Sequence, residues 1–143
     1  MSKKIVIAGM SATGLLTAAG LGYLFVTSKK DIKKGMDAQK GISALAIDEA
    51  KATINVQSAS NIANFLHKAM KGFGTKEKEI YKQLSNVRNQ NDLLLIIKAF
   101  GLREYKGDLK KIPVNLNVWF MHELSGKALK TVQAVYAKCN VPF

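Results

Sequence analysis

Residues 68–80 read KAMKGFGTKEKEI. The pair Gly72 and Gly74 stands between two runs of helical spacing. Upstream, Ile62, Ala63, Phe65, Leu66, Ala69 and Met70 recur as one apolar helix face, opened by the serines of Ser58-Ala-Ser60 and stopped by Gly72. Downstream, Thr75 stands where a cap belongs. Glu77 and Glu79 suit the positive end of a second helix, whose apolar face is Ile80, Tyr81, Leu84 and Val87. The stretch therefore predicts two helices meeting at a tight corner. Backbone geometry alone explains a Gly-x-Gly turn; a calcium loop and an anion cradle are the functional alternatives.

The same spacing continues to the C-terminus. Asn89-Gln-Asn-Asp92 starts a third helix carrying Leu93, Leu94, Ile96, Ile97 and Phe100, and Gly101 ends it. A polar stretch with Gly107 and Pro113 follows. Asn115 caps a fourth helix with Leu116, Trp119, Phe120 and Leu124. Ser125 caps a fifth with Leu129, Val132, Tyr136 and Cys139 on its inner side. No strand alternation is evident. The aromatic residues Phe65, Tyr81, Phe100, Trp119, Phe120 and Tyr136 fit core spacing and are not interleaved with basic residues as a base-stacking surface requires. Residues 58–143 are thus expected to form a compact five-helix domain.

The helix SASNIANFLHKAM, the turn KGFGT, the helix EKEIYKQLSN and three further helices resemble a single annexin repeat. The likeness is sharpest at Ala69–Thr75 and looser from Ser58 onward. Phe100-Gly101 and the W-x-x-x-E-L-S stretch, Trp119 to Ser125, are also similar to stand-alone annexin-like units of bacteria and phages. The resemblance implies an all-α repeat whose turn offers calcium the carbonyls of Met70, Gly72 and Gly74, completed by a carboxylate some way downstream. Calcium requires hard oxygen ligands. Here the matching stretch, Pro113 to Asn117, holds no acid, and Asp108 and Glu123 are out of register. The expectation is a degenerate calcium loop, no metal and no cofactor. Lys71 and Lys76 beside the turn are the candidates for contact with anions or lipid headgroups.

The N-terminal part has a different character. From Ile5 to Val26 the sequence IVIAGMSATGLLTAAGLGYLFV carries no charge for 22 residues, long enough as a helix to cross a hydrocarbon core of about 30 Å. A cleaved signal peptide, with Thr17-Ala18-Ala19 at its cut site, and a buried core helix are the competing readings. The run continues past that site to Lys29-Lys30, a stop-transfer pattern that favours a retained anchor over residues 1–28. Gly14, Ala18 and Gly22 share one face, which suits close helix packing in lipid. The flanking lysines Lys29, Lys30, Lys33 and Lys34 place the C-terminal domain in the cytoplasm and are candidates for headgroup contact. Residues 29–57 are expected to be a basic connector, interrupted at Gly35 and Gly41, with a short helix over Ile42 to Lys51.

The formal net charge is +12, with fourteen of the 22 basic side chains in residues 58–143. That balance favours anionic partners, lipid or nucleic acid. One cysteine excludes an internal disulfide. His67, His122 and Cys139 are far apart in sequence, and no nucleophile-base order or paired carboxylates stand out. The whole reads as a non-enzymatic, single-pass membrane protein: an all-α chain with an N-terminal transmembrane helix and an annexin-like domain. Its expected partners are membrane lipids and copies of itself or other structural proteins. A phage virion with a membrane is the setting that the resemblance implies. A lysis- or envelope-associated lipid binder and a tethered nucleic-acid binder are the alternatives.

Overall fold

The computed structural model describes residues 18–106 and 111–143, and among them the chain is mostly helical. Helix α1 spans Ala18–Ser43, α2 Val56–Met70, α3 Glu77–Leu84, α4 Gln90–Phe100, α5 Leu116–Glu123 and α6 Gly126–Lys138. A 3-10 turn, Glu49–Lys51, joins the first two helices. Among the described residues five helices follow residue 55, as the spacing predicts.

Helix α2 begins at Asn55, whose Oδ1 accepts from the Ser58 amide at 2.8 Å. This cap lies three residues before the serine that the sequence reading favoured. Its buried residues Ala59, Ile62, Ala63, Leu66, Ala69 and Met70 form one stripe against α4 and α3. Phe65, expected in the core, is 56% exposed, at the edge of that stripe. Helix α4 is the centre of the core. Asp92 through Ile97 and Phe100 are all buried, so this helix is enclosed on nearly every side. Gly101, at φ 58°, ends it by donating its amide to the Ile97 carbonyl at 3.0 Å.

Two features differ from the helical reading. Arg103–Lys106 (β1) and Lys111–Val114 (β2) pair antiparallel, with Arg103 opposite Val114 and Lys106 opposite Lys111. Four-residue strands are too short to produce a visible alternation, and β2 contains Pro113, a residue that strands disfavour. The ribbon has only two strands, so each is an edge, where a residue without an amide hydrogen is tolerated. The second difference is the connector. Gly35 and Gly41 do not interrupt α1, which runs through both. The short helix expected over Ile42 to Lys51 is instead the end of α1, an irregular link and the 3-10 turn.

Tertiary contact explains why α1 tolerates its glycines. A glycine costs about 1 kcal/mol relative to alanine inside a helix. At Gly35, which is buried, a Cβ would overlap Val118 Cγ2 and lie 3.2 Å from Met121 Cε. The missing side chain lets α1 lie close on α5. Asn115 then locks the contact. Its Nδ2 donates to the Gly35 carbonyl at 2.9 Å and to Gln39 Oε1 at 3.3 Å, while its Oδ1 accepts from the Val118 amide at 3.1 Å. Ile42 is buried in the common core, and Ile32, Leu45, Ile47 and Ile54 pack against it. Of the apolar run Ile5 to Val26, residues 5–17 lie outside the described residues, and residues 18–26 belong to α1. Among the described residues no helix is long and apolar enough to cross a membrane.

A second buried junction fixes the link between α1 and α2. Asp92 is fully buried, and its carboxylate accepts from the Thr53 amide at 2.6 Å, Thr53 Oγ1 at 2.7 Å, the Ile54 amide at 3.3 Å and the Arg88 amide at 2.8 Å. Burial pushes its pKa up, but the Thr53 hydroxyl and the three amides outweigh it, so the carboxyl titrates below its ordinary value of 3.8. Asn89 caps α4 through the Asp92 amide at 3.0 Å and donates to the Lys51 carbonyl at 3.0 Å.

Two predictions follow from these junctions. Gly35→Ala should destabilise the protein by about 1–3 kcal/mol through overpacking against Val118. Gly41→Ala, whose Cβ would meet the Pro142 ring, Cγ at 3.1 Å and Cβ at 3.9 Å, should change stability by less than about 1 kcal/mol, because helix propensity offsets the contact. Equal effects in denaturant melts would contradict the close-packing account. Asp92→Asn should cost about 2–4 kcal/mol at neutral pH, since several donors lose a charged acceptor. Because the folded carboxyl has the lower pKa, its contribution is complete above the unfolded value and is lost as pH falls through the folded one. The variant's stability should therefore fall less steeply than the parent's below about pH 4.

Candidate functional site

The corner between α2 and α3 is built by backbone geometry. Gly72 and Gly74 have φ of 104° and 72°, a region that a Cβ disfavours. The Lys76 amide closes the turn by donating to the Ala69 carbonyl at 2.9 Å. Between the glycines, Phe73 is fully exposed. Thr75 does not cap α3 as expected; the capping position is Lys76, without a side-chain bond. The Thr75 hydroxyl instead donates to Glu123 Oε2 at 2.6 Å. Glu123, which the sequence placed out of register with the turn, therefore meets it.

The other carboxylate oxygen of Glu123 accepts from the Tyr105 hydroxyl at 2.8 Å. One side chain at the end of α5 thus ties the α2–α3 turn to the hairpin. Beside it lies an open cavity of about 630 Å³, lined by His67, Met70, Lys71, Gly72, Arg103, Glu104, Tyr105, Trp119 and Glu123. Trp119 is the centre of its aromatic wall. His67 and Tyr105 meet it edge-on at centroid distances of 4.9 Å and 4.7 Å, and its Nε1 donates to the Arg103 carbonyl at 3.4 Å. Arg103 stacks over Phe100 at 4.6 Å, donates from Nε to the Phe100 carbonyl at 3.0 Å and from Nη2 to Asn64 Oδ1 at 2.9 Å. The guanidinium is thereby fixed at the rim.

Burial lowers the pKa of His67, and the charges of Arg103 and Lys71 lower it further. Both effects favour the neutral imidazole. His122 and Glu123, adjacent in sequence, both reach Tyr105: the His122 ring lies 4.8 Å from it, tilted by 35°. Cys139 is buried, and burial raises its pKa, as suits a small core residue. Among the described residues no three His, Cys, Asp or Glu side chains come together to hold a metal ion.

Of the residues singled out in the sequence, Met70, Lys71 and Gly72 line this cavity. Lys76 is exposed beside Phe65, Lys68 and Glu79 in a separate shallow depression. Lys30, Lys33 and Lys34 are exposed along α1 and do not reach the cavity, with Lys33 paired to Asp37 at 2.9 Å; Lys29 also belongs to α1. Ala18 and Gly22 lie in the first turns of α1, and Gly14 falls outside the described residues. Arg103, Tyr105 and Glu123 were not anticipated as site residues. The available signal was the spacing of Trp119 and Glu123, four residues apart and so on one face of a helix.

Gly74→Ala should destabilise the protein by about 1 kcal/mol, because nothing crowds a Cβ there and backbone strain is the whole effect. Replacing Lys71 and Lys76 together with Gln should change stability by less than about 0.5 kcal/mol. A larger effect of the lysine pair than of the glycine, read by thermal melting, would sink the geometric account of the turn.

No family model, curated protein or solved structure matches the chain. The likeness to an annexin repeat rests on the chain's own residues.

Proposed function

We propose that the chain is a non-enzymatic, single-pass membrane protein serving as a structural or adaptor component, such as a membrane-associated protein of a phage virion. The observation that carries this reading is Phe73. A fully exposed aromatic side chain sits between two glycines of positive φ, with Lys71 and Lys76 exposed on either side. An aromatic ring set among lysines suits the boundary between headgroups and acyl chains of an anionic leaflet. The anchor rests on the uncharged run Ile5 to Val26, and the lysines after it favour a cytoplasmic domain. The four-residue spacing of Gly14, Ala18 and Gly22 in the sequence suits close packing on a second copy or another structural protein. A lysis- or envelope-associated lipid binder would use the same surface. A tethered nucleic-acid binder draws support only from the net charge of +12.

Leu15→Arg together with Leu16→Arg should abolish carbonate-resistant membrane association, since each mid-bilayer charge costs about 2.5–3.5 kcal/mol. In that non-inserting background, Phe73→Ser should weaken binding to anionic vesicles about tenfold, the equivalent of partly burying one Phe at about 1.4 kcal/mol. Membrane retention of the double arginine chain would refute the anchor. Vesicle binding indifferent to Phe73 would refute the contact surface. Binding to duplex DNA that falls steeply with salt, without vesicle binding, would favour the nucleic-acid alternative.

A further inference from the structure

The cavity beside the turn differs electrostatically from the rest of this basic protein. Lys71 and Arg103 bring two positive charges to its lining, and Glu104 and Glu123 bring two negative ones. Burial and the neighbouring positive charges disfavour a further charge on His67. A simple anion would meet two carboxylates there, and a simple cation would meet an ammonium and a guanidinium. Yet none of Lys71, Arg103 and Glu123 is ion-paired among the described residues. They come from three elements: the end of α2, β1 and the end of α5. The bonds to Asn64 and the Phe100 carbonyl hold Arg103, and those from Thr75 and Tyr105 hold Glu123. Each charge is therefore anchored by partners of its own, and Trp119 and Met70 contribute apolar lining to the same cavity.

Each fixed charge keeps bonding capacity. A guanidinium has five N–H donors, and among the described residues those of Arg103 engage partners through Nε and Nη2. A carboxylate has about four acceptor sites, and Glu123 receives one hydroxyl on each oxygen. Guanidinium beside ammonium suits a phosphate, and a carboxylate with free lone pairs suits an ammonium that carries N–H donors. We propose that this cavity binds a zwitterion joining a phosphate to a primary ammonium, the chemistry of a phosphoethanolamine group, either as a free metabolite or as a lipid headgroup. Lys71 and Arg103 take the phosphate, Glu123 takes the ammonium, and Trp119 lies against the carbon chain. The assignment does not depend on the N-terminal anchor.

Trp119 is the chain's one tryptophan, so its emission reports the cavity directly. The full chain in detergent micelles is titrated with O-phosphoethanolamine, ethanolamine, inorganic phosphate and phosphocholine. Phosphoethanolamine should give a saturable change in emission, and the other three should bind at least tenfold more weakly. Lys71→Gln, at an exposed side chain, and Glu123→Gln should each weaken phosphoethanolamine at least threefold. Competition by phosphatidylethanolamine vesicles, but not by phosphatidylcholine vesicles, identifies the lipid as the source. Binding without such competition identifies the free metabolite. Three results overturn the proposal: no saturable change in a chain with an intact melting transition, equal affinity for phosphate or phosphocholine, or affinity unchanged in Lys71→Gln.

Discussion

Asn115 makes two kinds of bond that cannot be separated. Its Oδ1 accepts from the Val118 amide and so starts α5, while its Nδ2 reaches across to the Gly35 carbonyl in the middle of α1. The side chain is buried, so each polar atom needs its partner. The helix that carries Trp119 and Glu123 is thereby oriented by the helix that leads out toward the N-terminus. Gly35 makes the approach possible by presenting no Cβ where Val118 must sit. The hairpin, the turn and the cavity all depend on where α5 lies. Asn117 adds a further polar contact in this helix, accepting the Tyr136 hydroxyl at 2.9 Å and joining α5 to α6.

Glu123 organises the surface in the way that Asn115 organises the interior. Its carboxylate gathers Thr75 from the α2–α3 turn and Tyr105 from β1. Two segments that lack a helix of their own are held against a third that has one. The turn keeps its conformation through Gly72 and Gly74, and the hairpin stays in register through its pairing. The result is a rim with positive and negative groups on separate supports, around a tryptophan.

What the sequence disclosed follows from the range of the interaction involved. The helices after residue 55 were legible because their apolar positions repeat locally and their caps lie within a few residues. Asn89, Gly101 and Asn115 act where expected. Contacts over longer range were not legible. Gly35 and Gly41 read as breaks because the cost of a helical glycine is local, whereas the gain from close packing on α5 is not. Thr75 read as a cap because its hydroxyl suits that task, but a carboxylate 48 residues away is the partner it has. Phe65 read as core from its spacing, although it lies off the stripe that faces α4. The hairpin escaped notice because four residues hold too few alternations. Within the cavity, Met70, Lys71 and Gly72 were marked by the turn. Arg103, Tyr105 and Glu123 were not, since tertiary folding alone brings them there.

The continuity of α1 sets how the N-terminal sequence relates mechanically to the domain. From Ala18 to Gly35 the chain is one helix, rising about 26 Å without a joint. A flexible linker of the same length would let its two ends wander independently. A helix seated in the core through Gly35 and Ile42 has no such slack. Any tilt or rotation imposed at its outer end is delivered as torque to α5, the element that carries Trp119 and Glu123. The N-terminal sequence is thus joined to the domain as a shaft is joined to a wheel, rather than as a tether to a buoy.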